Sequence, residues 1–118
     1  MISELPMFQI LSAMARHAAE SQKVSATNIA HADQPGYKAA QLESFDTFLD
    51  RVRMGSEAGG LEGSFRTKPA DTPAAPNGNT VSLEQELFNS ADAMGQHQMA
   101  LSVYTKSLDL LRTAIGKR

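Results

Sequence analysis

Residues 82–115 read SLEQELFNSADAMGQHQMALSVYTKSLDLLRTAI, and within them Leu83, Leu87, Ser90, Met94, His97, Leu101, Tyr104, Leu108, Leu111 and Ile115 recur alternately four and three residues apart. A mean spacing near 3.5 brings these positions onto one seam of an α-helix, the pattern of a helix that winds around a partner. Ser82, followed three residues later by Gln85, is a capping box that marks the start. Arg112, Lys117 and Arg118 set cations at the C-terminal end, where the helix dipole favours them. A helix over about 83–115 would be roughly 50 Å long at 1.5 Å per residue. Such a rod cannot cover its own stripe, so the rest of the chain and its neighbours must do so.

A second stripe opens the chain. Ser3 suits an N-cap and Pro6 a first helical turn, after which Phe8, Leu11, Ala15, Ala18, Gln22, Ser25 and Ile29 step three and four apart. These residues are mostly small where those of the later stripe are mostly large, which predicts interdigitation of the two helices, large side chains facing small ones. Met7, Ile10, Met14 and Val24 widen the apolar face beyond a two-position seam. The predicted fold is all-α, an antiparallel hairpin of two long terminal helices.

Composition bounds the remaining choices. The 118 residues suit one domain, and five Phe, two Tyr and no Trp supply little for a thick core. Without cysteine there is no disulfide framework, thiolate metal site or thiol nucleophile. A net charge of −2, with eleven scattered basic residues, lacks the electrostatic footprint of a nucleic-acid binder. No apolar run approaches the ~20 residues of a membrane span, and the first residues lack the pattern of a cleaved signal peptide.

The first helix is expected to stop near residue 33. Pro35 disfavours helical geometry at Gln34, and Gly36 supplies the positive φ of a type II turn over Gln34-Pro35-Gly36-Tyr37. The run Ala26-Thr27-Asn28-Ile29-Ala30-His31-Ala32-Asp33-Gln34-Pro35-Gly36-Tyr37-Lys38-Ala39 closely resembles the N-terminal signature of the flagellar axial proteins, the rod, hook and hook-junction family. That signature usually reads Asn-hydrophobic-Ala-Asn-Ala-Asp-Thr-Pro-Gly-Tyr-Lys. His31 stands where the family usually has Asn, and Gln34 where it usually has Thr. Gly78-Asn79-Thr80-Val81-Ser82-Leu83-Glu84-Gln85-Glu86, leading directly into the long stripe, resembles the Gly-Asn-Thr-Val-x-x-Glu-x-Glu segment of the family's small proximal rod members. His97 falls where related rod proteins often have Tyr. Asn28 and Asp33 are read as backbone caps, and Pro35, Gly36 and Tyr37 as setting how the chain leaves the helix.

Between the long helices, Leu42, Phe45, Leu49 and Val52 predict a short amphipathic helix over about 42–53. Phe45-Asp46-Thr47-Phe48-Leu49 also resembles the Phe-x-x-x-hydrophobic element by which early flagellar subunits engage their export gate, with core packing as the plainer role of Phe45 and Leu49. Residues 55–80 hold five of the eight glycines and three of the five prolines, which predicts a flexible or partner-ordered loop.

Little in the chain argues for catalysis or cofactor binding. His17, His31 and His97 show no ligand spacing, and Glu84 with Glu86 and Asp46 with Asp50 suit solvated, dipole-favoured first turns. Ser21, Ser25 and Ser90 have no base placed beside them, and Gly59-Gly60 lacks the context of a phosphate loop. No enzyme activity, metal or cofactor is expected.

The resemblance implies a single rod-core domain over 1–118 that polymerises through its terminal helices into the proximal rod, a tube that transmits torque and passes exported subunits. The implied partners are further copies of the chain, other flagellar rod proteins, the MS ring with its junction protein, and the flagellar type III export apparatus. The implied location is the periplasmic rod of the basal body, reached without a cleaved signal. Periodicity and composition alone would equally suit a secreted or adaptor helical hairpin unrelated to the flagellum.

Overall fold

The computed structural model describes residues 4–56 and 59–116. Ser3, Lys117 and Arg118, read above as terminal caps, lie outside the described residues. The order of elements is α1 (Glu4–Ala30), β1 (Ala40–Leu42), α2 (Phe45–Arg53), a 3-10 turn (Gly60–Glu62), β2 (Thr67–Pro69) and α3 (Leu83–Gly116). The 27-residue α1 and the 34-residue α3 form the expected antiparallel hairpin. Its polarity is fixed by contacts in which one residue number rises as the other falls. Phe8 packs edge-on against Tyr104 at 5.1 Å, Ser90 Oγ donates to Gln22 Oε1 at 2.6 Å, and Asn28 meets Glu86 at 2.9 Å.

The seam differs from the expected one. On α3 the buried positions are Glu86, Ala93 and Ala100, seven residues apart and each one residue before Leu87, Met94 and Leu101. Ala18 is fully buried on α1 and Ala13 nearly so. Small residues therefore line both helices, so their backbones approach closely, and the large stripe of α3 is rotated to one flank. Leu83, Leu87, Met94, Leu101 and Ile115 remain 47–65% exposed. Ser90, His97, Tyr104, Leu108 and Leu111 are half-buried and belong to the observed seam or its edge. On α1, Phe8, Leu11 and Ala15 are half-buried, whereas Ile29 is exposed.

Helix α1 ends at Ala30, three residues before its expected stop, in tight turns that bond His31 N–H to the Asn28 carbonyl and Ala32 N–H to the Ile29 carbonyl. The type II turn forms as expected: Tyr37 N–H donates to the Gln34 carbonyl at 3.3 Å and Gly36 has φ 73°. The middle helix begins at Phe45 rather than near Leu42, because Ser44 Oγ caps it by accepting from Thr47 N–H at 3.1 Å. Leu42 instead lies in β1, which pairs antiparallel with β2 in the register Ala40 with Pro69, Gln41 with Lys68 and Leu42 with Thr67.

This ribbon and α2 enclose a small aromatic core against the middle of α1. Phe48 is fully buried, in edge contact with Phe65 at 4.6 Å, and His17 meets both Phe45 and Phe65. The Arg16 guanidinium lies 4.9 Å from the Phe65 ring centre and donates to the Leu61 and Gly63 carbonyls at 2.7 and 3.3 Å. Residues 60–69, whose composition suggests a loose loop, thus contribute a 3-10 turn, a strand and a core phenylalanine. The whole is 67 × 29 × 15 Å, about one helix thick in its shortest direction.

Candidate functional site

The two stretches that carry the resemblance, residues 26–39 and 78–86, meet at the closed end of the hairpin. Gly36 N–H donates to the Asn77 carbonyl at 2.9 Å, and Thr80 N–H to the Tyr37 carbonyl at 3.0 Å. Ala39 N–H donates to Thr80 Oγ1 at 2.8 Å, and Lys38 Nζ to the Gly78 carbonyl at 3.2 Å. The two glycine backbones lie so close that a Cβ on Gly78 would stand 3.4 Å from Gly36 Cα.

Asn79 closes this junction. Its buried Nδ2 lies 2.9, 3.1 and 2.7 Å from the carbonyls of His31, Ala32 and Gln34, and its Oδ1 accepts from Val81 N–H at 2.7 Å. Carbonyls just past a helix end thereby share one amide from the far motif, which adds to the turn bonds that Gln34 N–H and Tyr37 N–H make to the His31 and Gln34 carbonyls. The start of α3 is set by Ser82, whose Oγ accepts from Gln85 N–H at 3.3 Å. The Gln85 side chain turns to Asn89 at 3.0 Å, so only half of the expected capping box forms.

Asn28 is buried and does not cap its own helix, contrary to the expected role. Its Nδ2 donates to the Ala40 carbonyl at 2.8 Å and to Glu86 Oε2 at 2.9 Å, and its Oδ1 accepts from Ala40 N–H at 3.1 Å and Tyr37 O–H at 3.4 Å. One side chain therefore ties α1, β1, the turn and α3 together. Asp33, the other expected cap, is exposed, and Asn79 performs that task. His31 stacks on Tyr37 with ring centres 4.5 Å apart and 5° between planes, while its Nδ1–H donates to the Thr27 carbonyl at 2.8 Å. The histidine that departs from the usual motif thus clamps the tyrosine of the turn. Ala30, Pro35 and Lys38 lie on the exposed side.

Polar groups outside the junction act structurally. Glu43 is buried, receives two hydrogen bonds from the Arg51 guanidinium and one from Arg66 N–H, and its carbonyl accepts from His17 Nε2–H at 2.6 Å. Burial alone would raise the Glu43 carboxyl, but the Arg51 and Arg66 hydrogen bonds and charges outweigh it and hold the group below the ordinary carboxylate range. His17 and Glu86 line one cleft of about 210 Å³ between α1, β1 and α3. Among the described residues no group of three or more His, Cys, Asp or Glu is placed to hold a metal ion, and no helix is long and apolar enough to cross a membrane.

Of the residues singled out from sequence, the turn residues and the start of α3 come together, whereas the large stripe of α3 runs along an open flank. Phe45 and Leu49 are half-buried on α2, with Phe48 between them at the centre of the aromatic core. Asn79, Glu86 and Glu43 were not legible as key residues. The available signal was the position of Asn79 and Glu86 inside the second motif, but their partners are 45 to 58 positions away.

No protein-family profile matches the chain. It is similar to flagellar basal body rod protein FlgB of Salmonella typhimurium, 31% identical over 109 residues that cover 76% of this chain and 78% of the relative. The FlgB proteins of Escherichia coli and Yersinia enterocolitica are 29% and 31% identical over 102 and 104 residues, covering 71% and 72% of this chain and 74% and 75% of theirs.

Proposed function

Because the chain belongs to the FlgB family of flagellar basal body rod proteins, which is structural and non-catalytic, we propose that it is a subunit of the proximal rod. It polymerises through α1 and α3 into the helical tube that transmits torque and passes exported subunits. One observation carries this reading: Leu83, Leu87, Met94 and Leu101 form an apolar flank that the chain's own hairpin leaves 47–65% exposed. An exposed apolar stripe of that length is a liability in a monomer and an interface in a polymer.

The assembly surface comprises this flank with Ile115 and Ile29, while Phe8, Leu11, Ala15, Ala18, His97, Tyr104, Leu108 and Leu111 pack in or beside the hairpin seam and set the shape that is presented. Residues 1–118 act as one rod-core unit, with the 55–80 segment as a loop within it that meets neighbours. The junction over Asn28, Ala30, Asp33, Pro35, Gly36, Tyr37 and Lys38 holds the angle between the hairpin and that segment. The partners are further copies, other rod proteins, the MS ring and its junction protein. The type III export apparatus delivers the chain unfolded to the periplasm, and Phe45 and Leu49 are then exposed to its gate.

Electron microscopy of envelope fractions from a strain lacking the gene tests the reading, with motility and secretion of later axial proteins scored alongside. Rings without a rod, immotile cells and no hook are the expected result. Intact hook-basal bodies and normal swimming, in a strain with no second copy, would overturn it.

A further inference from the structure

We infer that the cleft of about 210 Å³ between α1, β1 and α3 is a binding site for a slender alkyl cation, an alkylammonium or alkylguanidinium group. Two buried side chains that line it each leave one polar atom without a hydrogen-bond partner, His17 Nδ1 and Glu86 Oε1. Buried polar atoms in folded proteins are nearly always paired, so two around one cleft point to a guest. Both atoms are acceptors. His17 Nε2–H donates to the Glu43 carbonyl at 2.6 Å, which leaves Nδ1 as the acceptor of the neutral ring, and Glu86 accepts from Asn28 through Oε2 alone. The guest must therefore donate.

Charge selects a cation as that donor. Besides Glu86, the exposed Asp92 lines the cleft, whereas the charge of Glu43, the third carboxylate there, is matched by Arg51. None of the described residues around the cleft is Lys or Arg. Asn28 gives Glu86 a hydrogen bond but no opposite charge, and a buried carboxylate left without one is costly. A water molecule can donate but cannot neutralise, and the cleft is far roomier than the ~15 Å³ that one water needs.

The shape of the cleft sets the form of the guest. His17, Ser21 and Ser25 follow one another at single turns of α1, so the cleft is elongated from His17 toward the pair of Asn28 and Glu86. Val24 and Leu42 add apolar surface, which suits a methylene stem behind a charged head. At 100° per residue, Asn89, Asp92 and Gln96 of the cleft lie on the opposite side of α3 from Leu87, Met94 and Leu101. The site is thus separate from the apolar assembly flank and does not rest on the rod reading.

Amide NMR of the isolated chain, followed as agmatine is added, tests the site, with butylurea as a neutral control of similar width. Saturable shifts confined to amides within 40–45 and 86–96 are expected with agmatine, and none with butylurea. Glu86→Gln keeps an acceptor for Asn28 and is expected to weaken binding about tenfold or more, as for loss of a charge-assisted contact. Asp92→Asn changes an exposed residue, so it keeps the test decisive if Glu86→Gln misfolds, and it should weaken binding about threefold. A second arm finds the source of the cation in swimming cells that carry a photoreactive benzophenone amino acid at Gln41. A mark on a Lys- or Arg-bearing peptide of a neighbouring axial subunit assigns a protein side chain, and a diamine or agmatine retained by the chain in native mass spectrometry assigns a free small molecule. Neither mark nor retained cation, no saturable shift with agmatine, equal binding of butylurea, or an Asp92→Asn affinity equal to that of the parent would each overturn the inference. Failure of the rod reading is seen separately, as normal swimming of the deletion strain, and leaves the agmatine titration unchanged.

Discussion

Asn28 Nδ2 donates to Glu86 Oε2 at 2.9 Å across 58 positions of sequence, with both side chains buried at the end of the helical hairpin. The same asparagine takes both backbone groups of Ala40, so helix exit, ribbon and helix entry are held by a single amide. A buried polar contact of this kind penalises any slip of one helix along the other, because the slipped state leaves an unpaired amide and carboxylate. Asn28→Ala is expected to destabilise the isolated chain by about 2–3 kcal/mol in denaturant unfolding. Asn28→Asp should cost more, by setting two carboxylates together, and Glu86→Gln should recover part of that loss. Equal stability of Asn28→Asp with and without Glu86→Gln would show that the pair is not coupled.

Asn79 acts through its amide hydrogens, since all three of the carbonyls it meets past α1 are acceptors. Asn79→Asp keeps the shape and reverses the polarity of one end of the side chain. It is expected to destabilise by about 2–3 kcal/mol, against about 1–2 kcal/mol for a neutral truncation. Amide hydrogen exchange should quicken at Gly36 and Thr80 while the centre of α3 keeps its protection. A uniform change along the chain would contradict this local role.

Gly36 has φ 73° and open space where a Cβ would stand, so backbone strain is the cost of a substitution there and steric clash is not. Gly36→Val is therefore expected to lose about 1–2 kcal/mol and to block rod assembly, while Gly36→Asn, which tolerates positive φ, should retain swimming. Equal motility of the two variants would argue against the turn as the constraint.

Glu43 couples stability to acid. Its folded carboxyl lies below its unfolded value, so it contributes stability above that value, and the contribution is lost as pH falls through the folded one. Unfolding free energy of the parent chain should fall between about pH 5 and pH 2. Glu43→Gln should be less stable at neutral pH and show a flatter profile over that range. A parallel pair of profiles would exclude Glu43 as a source of the slope.

Phe48 is, among the described residues, the large apolar side chain most completely buried, and it belongs to the aromatic core rather than to the long seam. Phe48→Ala is expected to cost about 3–5 kcal/mol. Residues 40–69 should lose exchange protection first, with most helicity retained in circular dichroism. Loss of the α1 and α3 signal in the same step would mean that the hairpin depends on that core.

Much of the architecture is local, and local features are legible. The 3.5-residue periods of the two long helices, the Pro35-Gly36 turn and the Ser82 cap depend on side chains within a turn or two of one another, so they could be read directly from the chain. The absence of cysteine and the sparse aromatics likewise excluded disulfides and a thick core. What could not be read was how α3 is rotated about its axis. Heptads starting at Leu83 or at Glu86 share Ser90, His97 and Tyr104, and the choice between them rests on how closely the alanines of α1 allow the backbones to approach. That choice turned Leu87, Met94 and Leu101 outward and set Glu86 against Asn28. It also lies beyond local spacing that residues 60–69 would return as a strand and a core phenylalanine, or that Asn79 would complete a helix end 45 or more positions away. The sequence by itself determined the helices and their turn, because these arise from neighbours along the chain. Only the tertiary structure decided which faces are buried, because burial is settled by partners that meet after folding.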